Sequence, residues 1–247
     1  MLRGLVTAMR TLSVLPVPGR EAGKFSDSLY WFPLVGLFLG GLQAAAAMLA
    51  AGFAWPELSA ALVLLSGVVL TRGMHADGLA DMADGFFGGR DREARLRIMK
   101  DPSVGSFGVL ALVLLYLLKW VVLARLLAGE FWTVLIAGVV LARVAQVVLA
   151  SLLSYARSGG GTASGFVSGA GAWHAAAALL TGAGLVVLLT GFSLLFFTLL
   201  GAFVAVSVLV GWLSVRRIGG VTGDVLGAAS ELCELVAWCV AACFLFG

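Results

Sequence analysis

Asp77, Asp81 and Asp84 stand at i, i+4 and i+7 in residues 75–89, HADGLADMADGFFGG. On an α-helix this spacing puts all three on one face, within an arc of about 60°. Carboxylates so close repel one another unless a cation lies among them. Hard divalent ions, magnesium or calcium, take such oxygen ligands. The stretch therefore reads as a metal–carboxylate site. The plainer alternative is the solvated face of a helix. Against it, Gly78, Ala80, Ala83 and Gly85 leave little bulk beside the carboxylates, and hence room for a ligand.

A second acidic set lies in residues 219–236, GGVTGDVLGAASELCELV. Asp224 and Glu231 are i and i+7, on one helical face, with Glu234 near its edge. Gly227 and Ala228 lie on that side, where small residues let another helix approach. For Asp224, helix N-capping after the Thr-Gly turn competes with ligation. Acids in a span cost roughly 2.5–3.5 kcal/mol each near the centre, so they need an interface, a wet cavity or a cation. Lys100–Asp101 opens a Gly/Ser loop, and Lys100 reads as a phosphate contact. Arg157 precedes Ser158-Gly-Gly-Gly, whose backbone amides could cradle an anion. His75 caps, binds or ends a span, and Arg143, inside a span, needs an acidic partner. No P-loop, zinc motif or Ser-His-Asp order is present.

The elements that must hold these residues are membrane helices. The chain has 247 residues, 61% hydrophobic and 12% charged, with mean hydropathy +1.07. Soluble domains carry about 25% charged residues. Apolar runs of spanning length recur and do not alternate, which predicts helices rather than a barrel. Spans are expected at 30–51, 58–72, 109–127, 131–153, 173–189, 192–213 and 224–246, within one catalytic domain over 1–247. Residues 1–29 read as an interfacial amphipathic segment, and 12–17 is too short and Pro-broken for a signal peptide. Residues 73–108 hold the acidic motif and a charged amphipathic loop; Arg90, Arg92, Arg95 and Arg97 read as topology signals and headgroup contacts. Residues 154–172 form a Gly-rich loop and 215–223 a basic loop. With the N-terminus in the cytoplasm, the inner segments take thirteen of the sixteen Lys and Arg, and the outer side only Lys119 and Arg125. Seven spans, N-in and C-out, follow, and both acidic sets then begin at cytoplasmic ends. The net charge of +3 is no argument for nucleic-acid binding. Cys233, Cys239 and Cys243 sit in the last apolar run and read as packing residues.

Carboxylates, cations and Gly-rich loops at a membrane point to a metal-dependent phosphotransferase. Three motifs in order, HADGLADMADGFFGG, RIMKDPSVGSFG and GGVTGDVLGAASELCELV, resemble those of the cobalamin synthase (adenosylcobinamide-GDP ribazoletransferase) family. The resemblance covers nearly the whole chain. It implies that GDP-activated adenosylcobinamide is joined to α-ribazole or its 5′-phosphate with loss of GMP, in a prokaryotic inner membrane. It also implies magnesium. Asp77, Asp81 and Asp84 would hold the ion, with Asp224 and Glu231 completing the shell or holding a second one. Asp81, Asp84 and Glu231 are the catalytic candidates, with Asp84 or Glu231 as general base. His75, Lys100, Asp101, Arg157 and Glu234 are expected at the substrate. The pattern is compatible with a homo-oligomer. CDP-alcohol phosphotransferases also carry a short acidic motif, but here Asp84–Gly85 is followed by Phe86, Phe87 and Gly88 with no Ala-Arg. Intramembrane acids and Gly-rich loops would also suit a cation-coupled transporter, although the acids cluster at span ends and no inverted repeat is visible.

Overall fold

The computed structural model describes residues 2–247. Among them are eleven α-helices and one 3-10 helix, and no β-strand. They are α1 (Leu2–Leu12), the 3-10 turn Phe25–Trp31, α2 (Phe32–Ala51), α3 (Pro56–Thr71), α4 (Met74–Gly88) and α5 (Arg92–Ile98). Then follow α6 (Ser106–Ala128), α7 (Trp132–Leu152), α8 (Ser164–Val167), α9 (Ala172–Thr190), α10 (Leu194–Ile218) and α11 (Gly223–Phe246). Six helices are long and apolar enough to cross a membrane, seven if the bent α3–α4 pair counts as one span. The protein is a polytopic helical membrane protein.

Local chemistry sets the boundaries. Pro56 sits in the first turn of α3, where a missing N–H costs nothing. Asp91 caps α5, accepting from Ala94 N–H at 2.8 Å. Two successive residues in the left-handed region, Arg72 (φ 58°) and Gly73 (φ 64°), break the chain between α3 and α4. The two helices meet at 88° there, so the acidic stretch turns aside instead of continuing the apolar run.

At the centre lies α7, packed against α2, α9 and α11. Its spanning window is 83% buried, whereas those of α6 and α9 are 28% and 22% buried. The latter two therefore present most of their apolar surface outward, as lipid-facing helices do.

Two expectations need correction. The helix α10 runs on through Val215–Ile218, where a basic loop was expected. Arg216 and Arg217 occupy its last turn, where cations suit the helix dipole, and Gly219 (φ 79°) ends it. Lys119, counted with the outer side in the charge balance, is not at a membrane surface. It is 2% exposed, in the middle of α6.

Candidate active site

Two glycines bring the acidic motifs together. A Cβ on Gly78 of α4 would lie 2.8 Å from the Asp224 carbonyl oxygen of α11. A Cβ on Gly227 would lie 3.1 Å from the His75 backbone. The two backbones thus meet directly, and Asp77 and Asp81 flank Asp224 across the contact. Their negative charges act on one another. Neither Asp77 nor Asp81 forms an ion pair or side-chain hydrogen bond with another described residue. Thr222, not Asp224, caps α11, accepting from Val225 N–H at 3.4 Å. This leaves the Asp224 carboxylate for other work. It accepts from Arg157 Nη2 at 2.8 Å and from the Thr222 hydroxyl at 3.1 Å.

The loop that follows α7 supplies Arg157. Ala156 N–H donates to the Val221 carbonyl, and Val221 N–H to the Ser154 carbonyl, both at 2.8 Å. This short parallel pairing ties the Gly-rich loop to the entrance of α11. Arg157 Nη2 also donates to the Met99 carbonyl at 3.2 Å, fixing the guanidinium between the two segments. Burial raises the neighbouring Tyr155 hydroxyl above its ordinary pKa, so it stays a neutral phenol.

These residues open on a cleft of about 430 Å³. Asp77, Lys100, Arg157 and Asp224 line its polar part, and Phe32 and Phe166 stand on its apolar wall. A second groove of about 690 Å³, with Arg10 and Arg72 on its walls, shares Asp77 with it. Asp77 therefore stands where the two spaces join. Buried His75 also borders the cleft, and its Nε2 has no hydrogen-bond partner.

The other expected residues lie elsewhere. Asp84 is buried, and both its oxygens are engaged: Gly105 N–H donates to one at 2.7 Å and Gly108 N–H to the other at 2.9 Å. It braces the N-terminus of α6. Asp101 is exposed, and the Ser103 N–H that its carboxylate accepts at 2.9 Å holds its pKa below the ordinary value. It stays ionised, closing its own turn. Glu231 and Glu234 lie deeper in α11. Lys119 Nζ donates to both, at 2.6 Å and 2.7 Å. Arg143 Nη2 is 3.7 Å from Glu234, and its Nη1 donates to the Ser230 hydroxyl. This cluster of two acids and two bases surrounds a cavity of about 20 Å³, room for one water.

Residues 4–242 match the family described as Cobalamin-5-phosphate synthase. A relative from Chlorobium phaeobacteroides, named adenosylcobinamide-GDP ribazoletransferase, is 60% identical over 96% of both chains. One of the same name from Prosthecochloris aestuarii is 58% identical over the full length of both. The chain belongs to the cobalamin-5-phosphate synthase family. Divergence within that name runs further: a relative from Caldanaerobacter subterraneus subsp. tengcongensis is 34% identical over 96% of each chain. No solved structure matches.

Family membership makes this chain a transferase of cobalamin biosynthesis, and several of its charged residues prove to be internal braces. Arg92 donates to the carbonyls of Ile218 at 2.8 Å and Ala156 at 2.6 Å. Arg95 donates to Arg217 O at 3.1 Å, and Arg217 to Phe86 O at 2.9 Å. Arg92 and Arg95, expected at lipid headgroups, instead tie α5 to the C-terminal end of α10. Their sequence signal is the local charge density, which does not reveal a carbonyl partner more than a hundred positions away. Lys119 was likewise missed as the partner of Glu231 and Glu234; a lone lysine in a span two to three turns from any loop was the available signal.

Among the described residues no three His, Cys, Asp or Glu side chains form a ready-made metal cage. Magnesium does not need one: it is typically held by one or two carboxylates plus substrate phosphates and water. The unengaged Asp77 and Asp81 beside Asp224 have the right oxygen chemistry for that mode. Glu231 lies deeper and is paired with Lys119.

Proposed function

We propose that this transferase joins GDP-activated adenosylcobinamide to α-ribazole or its 5′-phosphate, giving adenosylcobalamin or its phosphate and GMP. The observation that carries the reading is the α4–α11 contact, which gathers Asp77, Asp224 and Arg157 on one cleft, with Asp81 one helical turn on from Asp77 along α4. The names borne by the relatives support the same substrates. The charge asymmetry of the loops supports a cytoplasm-facing site in the inner membrane of a bacterium.

Asp77 and Asp224 would hold magnesium, which when bound offsets the negative charge that shifts during displacement at the diphosphate. Arg157, positioned by Asp224 and Met99, and the exposed Lys100 bind phosphate oxygens beside the carboxylates. A ribazole hydroxyl attacks the phosphorus on the cobinamide side and must lose its proton. The oxygens of Asp84 are spent on backbone amides and Glu231 is spent on Lys119. Asp81 keeps both oxygens unengaged, so we assign it the proton. The apolar wall at Phe32 and Phe166 excludes water from the reacting face.

The test is direct. Membranes carrying the protein are incubated with adenosylcobinamide-GDP, α-ribazole and magnesium, and products are read by mass spectrometry. Cobalamin with stoichiometric GMP is expected, and omission of magnesium should stop it. CMP release from a CDP-alcohol, with no GMP from the corrinoid donor, would overturn the assignment.

A further inference from the structure

Away from the cleft, the N-terminal helix makes a second binding feature. One groove of about 750 Å³ runs between α1, the segment after it and α2, with Leu5, Val6, Met9, Val35 and Phe38 on its walls. Another of about 600 Å³ runs between the 3-10 turn, α2 and α9. Arg3, Trp31 and Leu34 border both, so the two grooves fork at these residues. The fork is closely packed: a Cβ on Gly4 would lie 2.7 Å from the Asp27 carbonyl oxygen and 2.9 Å from Trp31 Nε1, so α1 lies directly on the turn.

Arg3 at the fork and Arg20 on the rim of the first groove are exposed, and neither forms an ion pair or side-chain hydrogen bond with a described residue. Arg10, on the same helix, is already held by Glu21 at 3.2 Å and by the carbonyls of Val17 and Gly19. Asp27 is the one acid bordering this region, and it lines only the second groove. The first groove is walled by large apolar side chains, and the second by Ala22, Tyr30, Ala177 and Thr181 with Asp27 among them; an occupant that fills both is two-pronged and anionic at the branch.

We propose that this fork binds one anionic two-chain phospholipid, an acyl chain in each groove and the phosphate at Arg3 and Arg20. The site is distinct from the catalytic cleft, with which it shares no lining residue. Trp31 at the branch suits the headgroup level, where its amphipathic ring is favoured. Juxtamembrane arginines attract anionic lipid, so the unpaired charges give selectivity and the grooves give most of the holding power.

The experiment uses the full chain purified in detergent. Phosphatidylglycerol, phosphatidylcholine with the same acyl chains, and free glycerol phosphate are added separately. Melting temperature and native mass are read for each. Phosphatidylglycerol should add one lipid mass and raise Tm by at least about 4 °C at saturating excess. Phosphatidylcholine and glycerol phosphate should do neither. Arg3→Gln with Arg20→Gln should abolish the response while leaving Tm in lipid-free detergent within about 1 °C. Leu34→Trp, which fills the exposed branch point and keeps both arginines, should abolish it independently. An equal response to phosphatidylcholine, a response to glycerol phosphate alone, an undiminished response in either variant, or a lipid-free dimer in the mass spectrum overturns the proposal.

Discussion

Asp81 and Asp84 are three residues apart on α4 yet have opposite surroundings. Asp84 is closed over by two backbone amides at the start of α6, and Asp81 has no partner. Substitutions should therefore separate their roles. Asp81→Asn is expected to cut GMP release by about 10²-fold or more, the range of a lost general base, while the protein still inserts and melts normally. Asp84→Ala is expected to lower stability by about 1–3 kcal/mol, because a buried and a part-buried N–H group lose their acceptor. Thermal unfolding in detergent distinguishes the two outcomes. If Asp81→Asn retains full turnover in membranes, the shared-carboxylate site fails. Sequence spacing showed that these aspartates share a helical face. It carried no sign that Gly105 and Gly108 would cap onto one of them, because that contact depends on where the loop after α5 returns.

The contact between α4 and α11 positions the whole site at the scale of elements. Gly78 and Gly227 let the backbones touch, and any side chain there forces the helices apart. Gly78→Ala should cost about 1–3 kcal/mol of stability and lower kcat more than it raises KM, since the carboxylates shift relative to Arg157. Steady-state kinetics on reconstituted protein check this. A change confined to KM would mean that the contact serves only substrate binding. Both helices, the small residues on their faces and the meeting of the two acidic stretches were legible from the sequence; that only the Asp224 end of α11 meets α4, with Glu231 left deeper among other partners, was not. The 88° break at Arg72–Gly73 is one reason, because a sequence reading lets α3 run straight on.

Across the whole molecule, the charge balance inside the membrane rests on Lys119. Its ammonium is shared by Glu231 and Glu234, and it lies 5.2 Å from the centroid of the Trp238 ring. Lys119→Met leaves two buried acids facing one arginine and is expected to destabilise the fold by about 3–5 kcal/mol. Adding Glu231→Gln restores neutrality, with Glu234 left to Arg143, and most of the lost stability should return in melting experiments. Glu231→Gln alone should leave the magnesium dependence of turnover unchanged, whereas Asp77→Asn should raise the magnesium needed. A raised requirement in Glu231→Gln would place that acid back in the metal shell.

Hydropathy and helical period are properties of neighbouring residues. The sequence by itself therefore determined the membrane class, the approximate bounds of the long spanning helices apart from the end of α10, and the two acidic faces. It also carried the three motifs in the order that the family shares. Which charges meet was decided only by the tertiary structure. Asp224 and Glu231 lie on one face of α11, but seven residues of helix separate them by about 10.5 Å along the axis. Only the packing of α4 on the N-terminal end of α11, and of α6 with α7 further along it, assigns one acid to the cleft and the other to a buried pair. Lys119 reaches Glu231 across 112 positions of chain, a distance over which no local pattern persists. The pairing follows from the cost of leaving a charge alone in lipid, and that cost is met by whichever opposite charge the folded bundle brings within reach.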